Sequence, residues 1–216
     1  MTRISAEWWP LFDLRIRTPR LELRLPTDDD LEDVVALVAG GIHDPDEMPF
    51  SFPWTQHDPP DLQRFALQYH WRVRAETTPE QWALPFSVFE DGQMIGQQDI
   101  AADGFARRRV VGTGSWLGRA FQGRGAGREM RAAVLHLAFA ALGAERAETE
   151  AFVDNPASLG VTRSLGYRPN GESIYDRQGK PVRMLRFVLT RAAWEENRRD
   201  DIEVSGLDPC RPLLGA

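Results

Sequence analysis

Apolar positions recur along the chain at two spacings, which predict a mixed succession of strands and helices. Leu21, Leu23 and Leu25 alternate with charged residues, as in a strand with one buried face. Similar alternation, or enrichment in β-branched and aromatic residues, predicts strands over 84–89, 93–100, 110–117, 146–153, 167–175 and 182–190. Spacings of three and four predict helices over 28–39, 61–76, 128–142, 156–165 and 194–199. This succession predicts an α/β protein.

A glycine-rich turn lies between the predicted strand 110–117 and the helix 128–142. Three glycines fall within the six residues from Gln122 to Gly127. A turn of this kind presents bare backbone N–H groups at a helix N-terminus, where they and the helix dipole attract phosphate. Glycine matters here because a Cβ atom would keep the anion away from the backbone. The spacing is neither that of a Walker-type loop nor that of a dinucleotide fold. The alternative is a glycine-rich turn that binds no ligand.

The turn reads Gln-x-x-Gly-x-Gly and resembles the acyl-CoA pyrophosphate loop of the GNAT N-acyltransferase superfamily. The resemblance continues at 154–158 (DNPAS) and 165–167 (LGY), and it covers roughly residues 18–190. Together these motifs resemble the branch that contains the ribosomal-protein N-terminal acetyltransferases. The resemblance implies a mixed α/β GNAT fold, with a central, mostly antiparallel sheet of about seven strands and helices on both faces. It also implies acetyl-CoA or another acyl-CoA as co-substrate, and no metal.

The resemblance also assigns residues to coenzyme A. Backbone groups near Leu117 and Gly118 would hydrogen-bond the pantetheine arm. The pyrophosphate would be held by Gln122, Gly123, Arg124, Gly125, Ala126, Gly127 and Arg128. Asn155 would either hydrogen-bond the pantetheine amide or cap the helix that begins at Pro156, and it can hardly do both. We expect Arg131, farther along the helix, to face solvent without a ligand.

The reaction implied is direct attack by an amine on the thioester, which needs a group that stabilises the leaving thiolate. Many family members carry a tyrosine seven residues after the asparagine, where this chain has Thr162. The ribosomal branch suggests a serine three residues after it, which is Ser158 here. Tyr167 is a second candidate donor. Both candidates also have a purely structural interpretation: Ser158 as a serine in the first turn of a helix, and Tyr167 as an aromatic residue of the core.

A base must also take a proton from the amine, because an ammonium has no lone pair. The family often places a glutamate near the start of the strand before the loop, where this chain has Gly112 and Thr113. We therefore consider Glu150 and Asp99, which lie on neighbouring predicted strands. A water relay without a dedicated base remains an alternative, since positioning alone supplies much of an acyl-transfer rate.

Residues 41–60 form a predicted loop with five prolines and three aromatic side chains, Phe50, Phe52 and Trp54. Loops of this length inside a compact domain are often functional. We predict that the aromatic residues form a wall or lid of the acceptor site. The alternative is packing against the following helix, and the two roles can coexist.

Length and composition complete the prediction. We expect a GNAT domain over 20–191, an N-terminal arm over 1–19, and a C-terminal helix with an extended tail over 192–216 that docks on a neighbour or is disordered. The net charge of −6 argues against a general nucleic-acid or membrane-surface binder. One cysteine cannot form an internal disulfide, and no apolar run near the N-terminus suits a signal peptide or membrane span, so we expect a cytoplasmic protein. Trp8 and Trp9 in the arm suggest a homo-oligomer.

The function implied by the resemblance is acyl transfer from CoA to a primary amine. Acetyl is the default acyl group and succinyl an alternative, and the acceptor would be a protein N-terminus, a lysine or a small metabolite. A catalytically inactive CoA-binding sensor or scaffold remains open, because Thr162 replaces the family's tyrosine and the strand lacks its carboxylate. An unrelated nucleotide-binding domain also remains open, and it would bind ATP or NAD as well as CoA.

Overall fold

The computed structural model describes residues 4–216, and its strands form a single nine-stranded sheet. The strands are β1 (Arg15–Arg17), β2 (Leu21–Arg24), β3 (Gln81–Glu90), β4 (Gln93–Asp103), β5 (Val110–Leu117), β6 (Arg146–Phe152), β7 (Arg168–Arg177), β8 (Lys180–Thr190) and β9 (Glu203–Ser205). The α-helices are α1 (Asp30–Ala39), α2 (Asp61–Glu76), α3 (Phe105–Arg108), α4 (Ala126–His136), α5 (Pro156–Ser164), α6 (Arg191–Glu195) and α7 (Arg211–Leu214). A π-helical turn, Leu137–Ala141, extends α4.

The strands follow the order β7-β8-β6-β5-β4-β3-β2-β1-β9, and their pairs are antiparallel except for β5 with β6. That parallel pair extends only from Val110↔Arg146 to Gly112↔Glu148. Both strands continue beyond it, to Leu117 and Phe152, without pairing to each other. The two strands therefore splay apart and leave a cleft in the middle of the sheet.

Helices cover both faces of the sheet, as expected for the fold class. Successive residues of a strand point to opposite faces. Val88 accordingly belongs to the core that packs beneath α4, whereas its neighbour Phe89 belongs to the core beneath α1 and α2. The mixed α/β, mostly antiparallel architecture is confirmed, with nine strands instead of about seven.

The two additional strands come from the termini. Residues of the arm form β1, which pairs with β2, and residues of the tail form β9, which pairs with β1. Leu11, Leu14 and Ile16 are buried in the main core, whereas Trp8 is 74% exposed. The expectation that the tail docks on a neighbour or is disordered is wrong, because this segment packs on its own chain. Leu214 is fully buried and its carbonyl oxygen accepts a 2.9 Å hydrogen bond from Trp82 Nε1.

The buried tail gives a stability prediction. Leu214→Ala should lower the free energy of unfolding by about 2–5 kcal/mol, because it leaves a cavity where a fully buried side chain packed. Urea denaturation measures the change. Ile174→Ala is the control, since Ile174 is 66% exposed and its truncation should cost about 0.5 kcal/mol or less. Equal stabilities of the Leu214→Ala variant and the unmodified protein would contradict the placement of the tail.

Candidate active site

The glycine-rich turn has the backbone geometry of an anion-binding loop. Gly123 and Gly125 adopt φ of 74° and 84°, a region that residues with a Cβ rarely occupy. Helix α4 begins directly afterwards, two residues earlier than expected. Within residues 4–216, the backbone N–H groups of 123–127 donate to no carbonyl or side-chain oxygen. This row of free donors at a helix N-terminus is suited to a phosphate.

Side chains of the turn and the side chain of Arg20 fix the turn to the rest of the protein. Gln122 Nε2 donates to the carbonyl oxygens of Ile42 at 2.8 Å and of Leu117 at 3.0 Å. Arg20 Nη1 donates to the carbonyl oxygen of Arg124 at 3.2 Å. The Arg124 guanidinium donates to the carbonyl oxygen of Ala120 and lies over the Phe121 ring. These contacts fix the turn and leave its N–H groups free.

A cavity of about 1030 Å³ occupies the cleft between β5 and β6 and extends under the 41–60 loop. The residues expected in the site that line it are Phe50, Phe52, Trp54, Asp99, Leu117, Gln122, Gly127, Glu150, Asn155 and Ser158. The cavity lining does not include Tyr167, Gly118, Gly123, Arg124, Gly125, Ala126 or Arg128. The glycine-rich turn thus borders the mouth of this cavity, next to Gln122 and Gly127.

Asn155 acts as a helix cap. Its Oδ1 accepts a 3.0 Å hydrogen bond from the backbone N–H of Ser158, and Pro156 occupies the first position of α5. The oxygen of the side chain is therefore engaged. Its amide nitrogen donates to no acceptor in the described chain, and Asn155 lines the cavity. The cap therefore leaves one polar group of this side chain unused, which the choice between two exclusive roles did not foresee.

Asp99 is the carboxylate that its surroundings perturb most. Gln97 Nε2 donates to its Oδ1 at 2.7 Å, and the Tyr69 hydroxyl lies 3.4 Å from its Oδ2. Burial raises the pKa of Asp99 to about 6, although the Gln97, Tyr69 and Arg131 side chains act in the opposite direction. The residue keeps some exposure to the cavity. The facing position on β5 is Gly114, where a Cβ atom would meet nothing within 4 Å.

Gln97 connects Asp99 to a second buried side chain. His70 is buried near Gln97, and burial, with a smaller effect of Arg74, lowers the pKa of His70 to about 4, whereas Gln97 acts in the opposite direction. Its imidazole is therefore neutral at neutral pH, and the Gln97 amide beside it orients the Asp99 carboxylate. Glu150, the other candidate base, is exposed on β6 at the edge of the same cavity.

Arg131 is buried, so the expectation that it faces solvent is wrong. Its exposed fraction is 3%, and its guanidinium donates to side chains on three strands. These are Gln98 Oε1 at 3.3 Å, Ser115 Oγ at 2.9 Å and Thr149 Oγ1 at 3.2 Å. The arginine also lines the cavity. The sequence feature that could have indicated this polar interior is the pair of consecutive glutamines in a strand, Gln97 and Gln98.

Neither the candidate donor Tyr167 nor Thr162, which stands where the family has a tyrosine, lines the cavity. The Tyr167 hydroxyl is 3.4 Å from Thr113 Oγ1, and burial raises the pKa of this tyrosine. Thr162 is fully buried, and its hydroxyl has no partner among the described residues. Only Ser158, of the donors expected from sequence, lies on the cavity wall.

The aromatic loop lines the cavity and also packs on the next helix. Its role at an acceptor site stays a prediction. Trp54 contacts Phe50 at a ring-centroid distance of 5.4 Å and Trp116 at 6.3 Å. Phe52 stacks on Phe65 of α2 at 5.5 Å. The β7–β8 hairpin reaches the loop from the other side, where Arg177 donates to the carbonyl oxygen of Met48 at 3.0 Å.

Comparison with known proteins agrees with this geometry. The Acetyltransferase (GNAT) domain family matches residues 20–168, so the chain belongs to the GNAT acetyltransferase family and is an N-acetyltransferase. Members of this family use acetyl-CoA. Among the described residues, no group of three His, Cys, Asp or Glu side chains could hold a metal ion. None of the helices within residues 4–216 has the length and apolar character of a membrane-spanning segment.

Solved structures share the fold at low sequence identity. RimJ from Mycobacterium smegmatis, in complex with CoA-disulfide, superposes with a TM-score of 0.70 and 22% identity, over 88% of this chain and 91% of that one. RimL, a ribosomal L7/L12 alpha-N-protein acetyltransferase in complex with coenzyme A, gives 0.64 and 17%, over 80% and 95%. A spermidine N-acetyltransferase SpeG chimera from Vibrio cholerae and hSSAT gives 0.63 and 15%, over 82% and 99%.

The raised pKa of Asp99 predicts a pH-dependent loss of stability. The folded protein binds the proton of Asp99 more tightly than the unfolded chain does. The contribution of Asp99 to the free energy of unfolding is therefore greatest below pH 3.8 and is lost as the pH rises through about 6. The fall should amount to about 3 kcal/mol at most. Asp99→Asn removes the titration, so the stability of the unmodified protein relative to the variant should decrease between pH 4 and pH 7 in urea denaturation. A constant difference would show that the Asp99 pKa is not raised.

Proposed function

We propose that the protein transfers the acetyl group of acetyl-CoA to a primary amine, with the coenzyme in the cleft between β5 and β6. The observation that carries the proposal is the single cavity that joins this cleft, beside the free N–H groups of the glycine-rich turn, to the buried carboxylate of Asp99. The turn can bind the phosphate groups of the coenzyme, and the Asp99 carboxylate can take a proton from the amine.

The coenzyme enters from the α4 end. Its pyrophosphate accepts hydrogen bonds from the N–H groups of 123–127, and the pantetheine arm runs along β5 past Leu117. The amide nitrogen of Asn155, which the cap does not use, is available to a carbonyl group of the arm. This direction brings the thioester towards Ser115 and Trp116, where the two strands have separated.

The amine approaches from the face covered by α1 and α2. On this face the walls of the cavity are the aromatic residues of the 41–60 loop, which suit the apolar part of an acceptor and interact favourably with a cation. Asp99 takes a proton from the ammonium group, since a carboxylate with a pKa of about 6 is ionised at neutral pH and still a better base than an ordinary aspartate. The neutral amine then attacks the thioester carbonyl. Glu150 stands at the rim of the same cavity and is the second candidate base.

The acceptor belongs to the class of primary amines, namely a protein N-terminus, a lysine or a small metabolite. RimL and SpeG, which have this fold, are a ribosomal-protein and a spermidine acetyltransferase, and both kinds of acceptor present an amine. Succinyl-CoA is an alternative donor. The exposed Trp8 supports a homo-oligomer, which sedimentation would test.

Thiol release from acetyl-CoA with a panel of peptide N-termini, polyamines and arylalkylamines tests the proposal. We expect turnover with at least one amine, and a kcat/KM that falls below pH 6 as Asp99 becomes protonated. Asp99→Asn should lower kcat/KM about 10²- to 10⁴-fold and leave CoA affinity unchanged. Glu150→Gln, the matched carboxylate, should have a much smaller effect.

Two results would oppose the proposal. Tight CoA binding, with no thiol released from acetyl-CoA or succinyl-CoA in the presence of any amine, would favour a catalytically inactive sensor. Loss of activity in Glu150→Gln, with little change in Asp99→Asn, would transfer the role of base to Glu150.

A further inference from the structure

A buried arginine joins the two strands on either side of the cleft. Arg131 donates to Ser115 Oγ on β5 at 2.9 Å and to Thr149 Oγ1 on β6 at 3.2 Å. These positions lie just beyond the last paired residues of the two strands, Gly112 and Glu148. The guanidinium therefore occupies the floor of the splay, where backbone pairing has ended.

The charge of Arg131 has no carboxylate partner within ion-pair distance among residues 4–216. It donates to neutral oxygens of a glutamine, a serine and a threonine. Burial lowers its pKa, and the nearby Tyr167 hydroxyl acts in the opposite direction. Asp99 acts on it only as a more distant charge. A buried cation with neutral neighbours stabilises negative charge that develops nearby, because little solvent screens it.

The two hydroxyl groups that accept from Arg131 differ in the use of their own protons. Thr149 donates to the carbonyl oxygen of Thr113 at 3.0 Å, so its hydroxyl is fully engaged. Ser115 donates to no acceptor in the part of the chain that the structure describes, and it lines the cavity. A hydroxyl that accepts from a guanidinium is polarised and is a stronger donor.

We propose that Ser115 is a catalytic residue that donates its hydroxyl hydrogen bond to the leaving thiolate, and that Arg131 is the positioning residue that orients and polarises it. This rests on the proposed function. Ser115 lies on the strand along which the pantetheine arm would run, and it supplies the donor that Thr162, buried behind the cleft, does not provide.

The step balances without a further reactant. Asp99 takes the first proton from the ammonium, and the nitrogen lone pair forms the C–N bond. The C–S bond breaks and its electron pair stays on sulfur, where the Ser115 hydroxyl hydrogen-bonds it. The second amine proton leaves nitrogen as the amide forms and neutralises the thiolate, so the products are the amide and the free thiol of CoA.

Steady-state kinetics of four variants, with the best acceptor from the amine panel, tests the proposal. Ser115→Ala should lower kcat about 100-fold while the Kd for CoA, from titration calorimetry, stays within about twofold. Ser115→Thr keeps the hydroxyl and should restore most of kcat. Ser158→Ala tests the competing donor on α5 and should have a smaller effect. Ser164→Ala is the control, since this exposed serine of α5 hydrogen-bonds only the Val161 carbonyl.

The positioning role of Arg131 predicts coupling. Arg131→Met should lower kcat by a similar factor, and adding Ser115→Ala to it should lower kcat no further than about twofold, because both changes remove one interaction. Circular dichroism checks that the arginine variant folds, and if it does not, Ser115→Ala and Ser115→Thr still decide the proposal.

Several outcomes would overturn the inference. A kcat of Ser115→Ala within twofold of the unmodified protein would do so, and so would equal losses in Ser115→Ala and Ser115→Thr, which would indicate packing. A loss that appears as weaker CoA binding would assign Ser115 to the coenzyme and not to the thiolate. An unmodified protein that releases no thiol would remove the proposed function itself, and this inference with it.

Discussion

The separation of β5 from β6 is the constraint on which the rest of the structure depends. Parallel strands normally pair along their length, because unpaired backbone groups in an interior are costly. Here pairing ends at Gly112 and Glu148, and side chains replace it. Thr149 satisfies the carbonyl oxygen of Thr113, and Arg131 joins Thr149 to Ser115. The cleft is therefore held open by a polar network, and the glycine-rich turn stands at its end.

Two buried charges face this cleft from opposite sides of the sheet. Asp99 lies under α1 and α2, and Arg131 projects from α4. Burial shifts both pKa values towards the neutral form, upwards for the aspartate and downwards for the arginine. An amine losing a proton on one side and a thioester gaining negative charge on the other would each meet the charge that it needs. The site is thus polarised before any substrate binds, which is the arrangement that electrostatic catalysis requires.

Local patterns in the sequence predicted the glycine-rich turn, the Asn155 cap and the aromatic loop, because the chemistry of each is contained in a few neighbouring residues. The strands β1 and β9 were missed, since three-residue strands at the termini have no periodicity and depend on long-range packing. Arg131 was misplaced for a related reason. A helix with apolar residues on several sides does not reveal which polar residue points inward, and here it is the arginine that meets the polar side chains of the splay.

Binding of CoA by two glycine variants tests most directly whether the turn and cleft hold the coenzyme. Gly125 and Gly123 are unsuitable because any side chain there strains the backbone. A Cβ at Gly127, in the first turn of α4, would lie 3.5 Å from Val161 and 3.8 Å from Leu117, so the fold tolerates Gly127→Ala. Calorimetry should show a Kd for CoA raised roughly tenfold in Gly127→Ala and unchanged in Gly160→Ala, a control on α5 with open space around it. Equal affinities for all three proteins, or binding of ATP as tight as that of CoA, would contradict the account.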